Sequence, residues 1–210
     1  VEWFHFSAIN PALNEKVAEV CLEALKAAKQ KGITISIDLN YRAKLWQYGK
    51  SPVEVMPKIV EYCDVIMGNI WSANALMGTS LDKDLLNLGN NESYLQHAEN
   101  TSLEIMKCYP NAKVIANTFR MENDEGMEYF ATLKNESGFF SSKTFNAEVI
   151  NKVGSGDCFM AGLIYGLLNK NEPQEIINFS AAAAIGKMQE QGDATQQSIN
   201  DIQKILSNGQ

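Results

Sequence analysis

Gly32-Ile33-Thr34-Ile35-Ser36-Ile37-Asp38-Leu39 is the stretch that decides the fold. Ile33 to Leu39 is β-branched and nearly continuous in apolar character, which suits a strand covered on both faces. Upstream, Leu13, Val17, Cys21, Ala24, Leu25 and Ala28 recur at helical spacing, with Asn10 and Pro11 as a start and Gly32 as a stop. Before them, Glu2-Trp3-Phe4-His5-Phe6 reads as another strand. Two strands joined by a helix of this length imply parallel pairing. Val1 is not an initiator methionine and the strand at Glu2 is already in progress, so the sequence is expected to begin inside a larger protein.

The alternation continues downstream. A helix is expected around Val53 to Tyr62, a short strand at Asp64 to Met67, and helices between Ala73 and Tyr109 broken by the polar Asn87 to Ser93 stretch. Another strand follows at Lys113 to Phe119. From Gly126 two extended runs, Met127 to Leu133 and Phe139 to Ile150, are joined by Asn135-Glu136-Ser137-Gly138, the turn residues of a β-hairpin. Parallel strands are thus expected to give way to an antiparallel pair. Helices from about Asp157 to Leu168, Pro173 to Gln189 and Ile199 to Leu206 close the chain. With no internal repeat or long linker, residues 1–210 read as one α/β domain with a doubly wound, mostly parallel sheet and flanking helices.

Bulk properties bound the function. The 210 residues are 45% apolar and 20% charged, a composition that supports a sizeable core. A net charge of -7 excludes nucleic acid as an expected partner, because phosphate backbones select a basic face. No apolar run approaches the roughly 20 residues that span a bilayer, so no membrane partner is expected and a cytoplasmic location is. Cys21, Cys63, Cys108 and Cys158 lack the paired spacing of structural zinc and read as buried reduced thiols. His5 and His97 are isolated, so no metal ligands are assigned.

Asn151-Lys152-Val153-Gly154-Ser155-Gly156-Asp157 carries the chemistry. A strand runs into a loop of small residues, and the loop opens the apolar helix Cys158 to Leu168. Free backbone N–H groups and the positive end of the helix dipole converge where glycines let a phosphate approach closely. Asp157, in the first helical turn, can accept a proton from an attacking hydroxyl held there. The plain alternative is a tight turn at Gly154 and Gly156 with Asp157 decorating the first turn.

Gly154-Ser155-Gly156-Asp157-Cys158-Phe159-Met160-Ala161-Gly162-Leu163 resembles the C-terminal signature of the ribokinase-like, or pfkB-type, carbohydrate kinases. The whole chain fits that family's C-terminal two-thirds, without its N-terminal part and lid. Asp38-Leu39-Asn40-Tyr41-Arg42 with Leu45-Trp46, and Gly192-Asp193, resemble segments of 2-keto-3-deoxygluconate kinases. The resemblance implies transfer of the ATP γ-phosphoryl, with Mg2+, to a hydroxyl of a small sugar or sugar acid. Asp157 would be the base, and the amides of Gly154, Ser155 and Gly156 the anion hole. Asn40, Asn69, Thr118 and Arg120 fall where relatives hold nucleotide. Arg42 and Asp193 fall on the substrate side, where a guanidinium can grip a carboxylate in a bidentate fork. The resemblance also implies a homodimer through the lid, which this sequence does not contain.

Two positions and one turn depart from the family pattern. Ser72, in Gly68-Asn69-Ile70-Trp71-Ser72, stands where relatives carry a glutamate that organises magnesium, and a neutral hydroxyl cannot do the same work. Asn151 replaces an aspartate that helps bind a monovalent cation, and an amide loses the charge. Met121-Glu122-Asn123-Asp124-Glu125 replaces a glycine-rich turn beside Arg120. The expected substrate is a sugar acid. A neutral ketose such as fructose is the alternative within the class, and a non-catalytic, ligand-binding descendant the alternative outside it. A dinucleotide oxidoreductase is disfavoured, since the glycine loop comes late and lacks the G-x-G-x-x-G spacing.

Overall fold

The computed structural model of the chain describes residues 1–82, 84, 90–123 and 126–208. In chain order its elements are β1 (Trp3–Ser7), α1 (Ile9–Leu13), α2 (Glu15–Gln30), β2 (Thr34–Asp38), α3 (Pro52–Val60), β3 (Val65–Gly68), α4 (Ile70–Met77), α5 (Asn91–Cys108), β4 (Val114–Asn123), β5 (Gly126–Asn135), β6 (Gly138–Ser141), β7 (Phe145–Ala147), α6 (Ser155–Leu168), α7 (Pro173–Met188) and α8 (Ile199–Asn208). The seven strands form one mixed sheet in the order β1-β2-β3-β4-β5-β6, with β7 paired to β5. β1 to β4 are mutually parallel neighbours, and β7 runs antiparallel to β5. Of the polar stretch expected to interrupt the helices, Asn87 to Gly89 lie outside the described residues, and α5 begins at Asn91. No helix among the described residues is long and apolar enough to cross a membrane.

The chain divides into two compact units, residues 1–117 with 134–138 and residues 118–133 with 139–210. In the first, β2 sits between β1 and β3, and Ile35 and Ile37 are fully buried, as the apolar run requires of a two-sided strand. They pack in one core with Leu25 of α2, Met56 and Ile59 of α3, and Ile66 of β3. Asp64 fastens the edge of this core: its carboxylate accepts from Lys29 Nζ at 2.8 Å and from the Ile35 amide at 2.9 Å.

The first helical stretch departs from the single helix expected from Asn10 to Gly32. Asn14 adopts extended backbone and breaks it into α1 and α2, because its side chain accepts from the Val17 amide at 3.0 Å and caps α2 afresh. Gly32, at φ 66°, ends α2 as expected, its amide reaching the Lys29 carbonyl.

In the second unit, Phe119 and Phe130 stack with ring centroids 4.8 Å apart. The expected single run from Phe139 to Ile150 is instead split into β6 and β7. Ser142 lies between them: its amide donates to the Ala131 carbonyl at 2.8 Å while its hydroxyl accepts from the Ala131 amide at 3.0 Å. A side chain thus takes over one rung of the ladder, freeing the backbone to change course. Helices α6 and α7 pack closely because α6 presents glycine. A β-carbon on Gly162 would stand 2.9 Å from the Ser180 Cα, and one on Gly166 2.8 Å from Ile176 Cγ1.

All four cysteines are free thiols. Only Cys63 is fully buried, and Cys108 is exposed at the end of α5, so the expectation of four buried thiols fails there.

Gly162 faces backbone, which cannot step aside as a flexible side chain would. Gly162→Val should therefore destabilise the protein by about 1–3 kcal/mol through overpacking. Urea unfolding followed by circular dichroism measures it, and an unchanged midpoint would contradict the close α6–α7 packing.

Candidate active site

The loop before α6 is held by backbone and by one amide side chain. The Ile150 and Asn151 amides both donate to the Met188 carbonyl, at 2.8 and 3.0 Å. Asn151 Oδ1 accepts from the Val153 amide at 2.9 Å, and its Nδ2 donates to the Gly192 carbonyl at 3.0 Å. Asn151 therefore uses both ends of its amide to shape the loop and tie it to the segment after α7.

Gly154 caps α6 with φ 81° and ψ -7°, a left-handed conformation that disfavours any side chain. A β-carbon there would also lie 2.2 Å from the Asp193 carbonyl oxygen. Asp193 thus meets the loop through its backbone, while its side chain is exposed. Cys158 makes the first intrahelical bond, donating to the Gly154 carbonyl at 2.9 Å. The Ser155 amide is directed at the Lys152 carbonyl at 3.4 Å, the long limit of a hydrogen bond, and the Ser155 hydroxyl donates to the same oxygen at 2.8 Å. Gly156 and Asp157 then supply first-turn N–H groups that precede the helical ladder, the donors an anion would meet.

The Asp157 side chain is exposed in that first turn, and no hydrogen bond or ion pair among the described residues engages its carboxylate. Its neighbour Cys158 is half-buried. Burial pushes that thiol up, the Lys187 ammonium pulls it down, and the Asp157 and Glu190 carboxylates add to the rise. A helix start would otherwise favour a thiolate. Here burial wins, and the thiol lies above its ordinary value.

Arg120 and Glu122 alternate on the exposed face of β4, opposite buried Phe119. With Met127 and Lys152 they line a polar recess of about 470 Å³. Glu122 and Lys152 form an ion pair, and the hydrogen bond from Lys152 holds the Glu122 carboxyl below its usual value. Thr118 begins the second unit's part of the same strand.

The remaining expected residues belong to the first unit. Asn40 follows the C-terminal end of β2 and Asn69 that of β3, adjacent parallel strands whose ends touch so closely that a β-carbon on Gly68 would lie 2.7 Å from Leu39 Cβ. Ligands of open α/β sheets bind at such carboxyl ends. Asn69 caps α4, accepting from the Ser72 amide at 2.8 Å. Arg42 is exposed and precedes a single 3-10 turn, Ala43–Leu45.

Lys187 was not singled out by the sequence, yet it is fully buried beside the loop. Its signal is a lone cation at the end of the small, apolar run Ala181-Ala182-Ala183-Ala184-Ile185-Gly186, which only a buried helix would carry.

Residues 1–200 match the model of the pfkB family of carbohydrate kinases, and the chain belongs to that family. The solved structure of 2-dehydro-3-deoxygluconokinase from Thermotoga maritima superposes with a TM-score of 0.85 at 33% identity, covering 99% of this chain and 60% of that one. A 2-dehydro-3-deoxygalactonokinase of Haloferax volcanii is 22% identical over 98% of this chain and 57% of its own length. Fructokinase with bound ATP from Xylella fastidiosa shares the fold at a TM-score of 0.71 and 18% identity, covering 99% of this chain and 62% of that one. The chain thus spans about three-fifths of the length of these relatives.

Replacing Gly154 tests the loop directly. Gly154→Ala forces a side chain into left-handed backbone and against the Asp193 carbonyl, and strain of this kind costs about 1–3 kcal/mol. The expected result is at least about tenfold weaker ATP binding by calorimetry. Wild-type affinity in a folded variant would show that the loop is not the phosphate cradle.

Proposed function

We propose that residues 1–210 form the nucleotide-binding and catalytic part of a cytoplasmic, ATP-dependent kinase of a small sugar acid, with 2-keto-3-deoxygluconate as the first substrate to try. The observation that carries the reading is the exposed, unengaged carboxylate of Asp157 beside the first-turn amides of α6.

In this reading the amides of Gly154, Ser155 and Gly156 receive the negative charge that develops on the transferred phosphoryl oxygens, an arrangement most effective when the donors are fixed in advance. The fixing comes from the left-handed Gly154 and the two-ended Asn151 amide. The sugar hydroxyl attacks the γ-phosphorus, its proton passes to an Asp157 carboxylate oxygen, and the bond to the β,γ-bridging oxygen breaks with its electron pair leaving on ADP. Thr118 and Arg120, with Asn40 and Asn69, are assigned to the nucleotide. Magnesium, brought with ATP, would offset phosphate charge. The carboxylate and hydroxyl oxygens about the loop suit an ion held mainly by phosphates and water, and Ser72 supplies no charged ligand.

The sugar-acid assignment rests on Arg42, whose exposed guanidinium can pair with a substrate carboxylate, and on the names of the Thermotoga and Haloferax relatives. Asp193 is assigned to the same side.

Coupled ADP release by the full-length protein with ATP, Mg2+ and 2-keto-3-deoxygluconate is the test. Asp157→Asn should lower kcat by about a thousandfold or more, the scale expected when a transfer loses its base and its alignment. If both proteins are equally inert while ATP still binds, the chain is a binding descendant of the kinases. In the active enzyme, Arg42→Ala should raise KM for the sugar acid by about 10- to 100-fold, the scale of a lost charge-assisted pair. KM for fructose should be left in place. Equal effects on both sugars would remove the case for a sugar acid.

A further inference from the structure

Lys187 poses a physical problem that stability does not solve. Its side chain is fully buried at the end of α7, and it joins none of the ion pairs formed among the described residues. Its one direct partner there is a neutral oxygen, the Gly192 carbonyl, 2.9 Å from Nζ. The nearest acid in sequence, Glu190, lies just past the end of α7: it turns Oε1 to the Gln196 amide, and its buried Oε2 meets no hydrogen-bond donor among the described residues. Burying an ammonium without a carboxylate is unfavourable, and an apolar side chain of like volume would serve a core better.

The position of the ammonium suggests what it does. Lys187 Cε lies 3.3 Å from where a Gly154 β-carbon would stand, directly against the residue that caps α6. The Gly192 carbonyl that accepts from Nζ also accepts from Asn151 Nδ2 at 3.0 Å. One oxygen therefore gathers a cation from α7 and an amide from the loop, and the next residue, Asp193, presses its carbonyl against Gly154. All of this lies within one compact unit.

We propose that Lys187 is a positioning residue of the phosphate cradle: its buried ammonium pins the 192–193 segment against Gly154 and holds fixed positive charge behind a phosphate bound at the start of α6. The proposal rests on the kinase reading above. Low dielectric surroundings, with no ion pair to Lys187 among the described residues, leave part of the charge available to a polyphosphate. The helix dipole points the same way, so the two effects add.

The experiment uses the full-length protein in three forms, wild type, Lys187→Met and Lys187→Ala, with thermal melts, calorimetric titration with Mg-ATP, and steady-state kinetics. Lys187→Met fills the space without the charge, so it should melt no lower than wild type. Its ATP affinity should fall by about 10- to 100-fold, the range for losing a charge-assisted interaction. KM for ATP should rise while KM for the sugar holds. Lys187→Ala opens a space lined by the Gly192 carbonyl, which ammonium or potassium chloride should partly refill. Recovery of ATP affinity relative to choline chloride at equal ionic strength, with wild type indifferent to the change, is the result expected. Wild-type ATP affinity in Lys187→Met overturns the proposal, as does a loss that no small cation restores. An unfolded Lys187→Met overturns it too, because the lysine is then a structural element of the core. A wild-type protein that binds no ATP at all overturns the kinase reading, a failure distinct from one confined to the variants.

Discussion

At Gly154 the backbone turns left-handed and the Asp193 carbonyl occupies the space a side chain would need. The other features of the loop depend on that approach. It opens α6 at Ser155 with Asp157 in the first turn, it brings the segment after α7 against the turn, and it leaves Lys187 fully buried beside it. A larger residue at position 154 would push these three elements apart together. The glycine is thus a spacing element shared by two chain segments, beyond its part in a local turn.

Much of this could be read in the sequence, and the reasons it stopped short are specific. Ile33 to Leu39 announced a two-sided strand because its apolar residues allow no solvated face, and β1, β2 and β3 pair parallel as that implies. The glycine loop was legible because small residues between a strand and an apolar helix have few other uses. Asn14 escaped notice because its effect depends on a side chain competing with the backbone, which spacing does not record. Ser142 was missed for the same reason, a hydroxyl standing in for a backbone group. β4 extends beyond Phe119 because Arg120 and Glu122 continue an in-out alternation that charge had disguised as the end of a strand. Lys187 reads as surface by residue type, and only the alanines before it say otherwise.

The expected ligand residues divide between the two compact units. Asn40, Arg42 and Asn69 follow strands of the first, and Thr118, Arg120, Asp157 and Asp193 belong to the second. In the first unit the β2 and β3 ends are packed core against core, so Asn40 and Asn69 stand on rigid supports. In the second, Arg120 is carried on a strand and Asp157 on a helix, supports that define side-chain direction better than a loop does. Asn69 and Asn151 keep structural work of their own as cap and loop clasp. Their amides are therefore oriented before any ligand arrives.

Cys158 follows the proposed base directly, and burial raises its thiol above the ordinary value, whereas Cys108 is open to solvent at the end of α5. Maleimides and peroxide select accessible thiolates. Mild labelling should thus mark the helix end carrying Cys108 before it touches the turn carrying Asp157. The fold offers a natural attachment point for a spectroscopic reporter, with the neighbour of the chemistry left unmodified and no cysteine replaced.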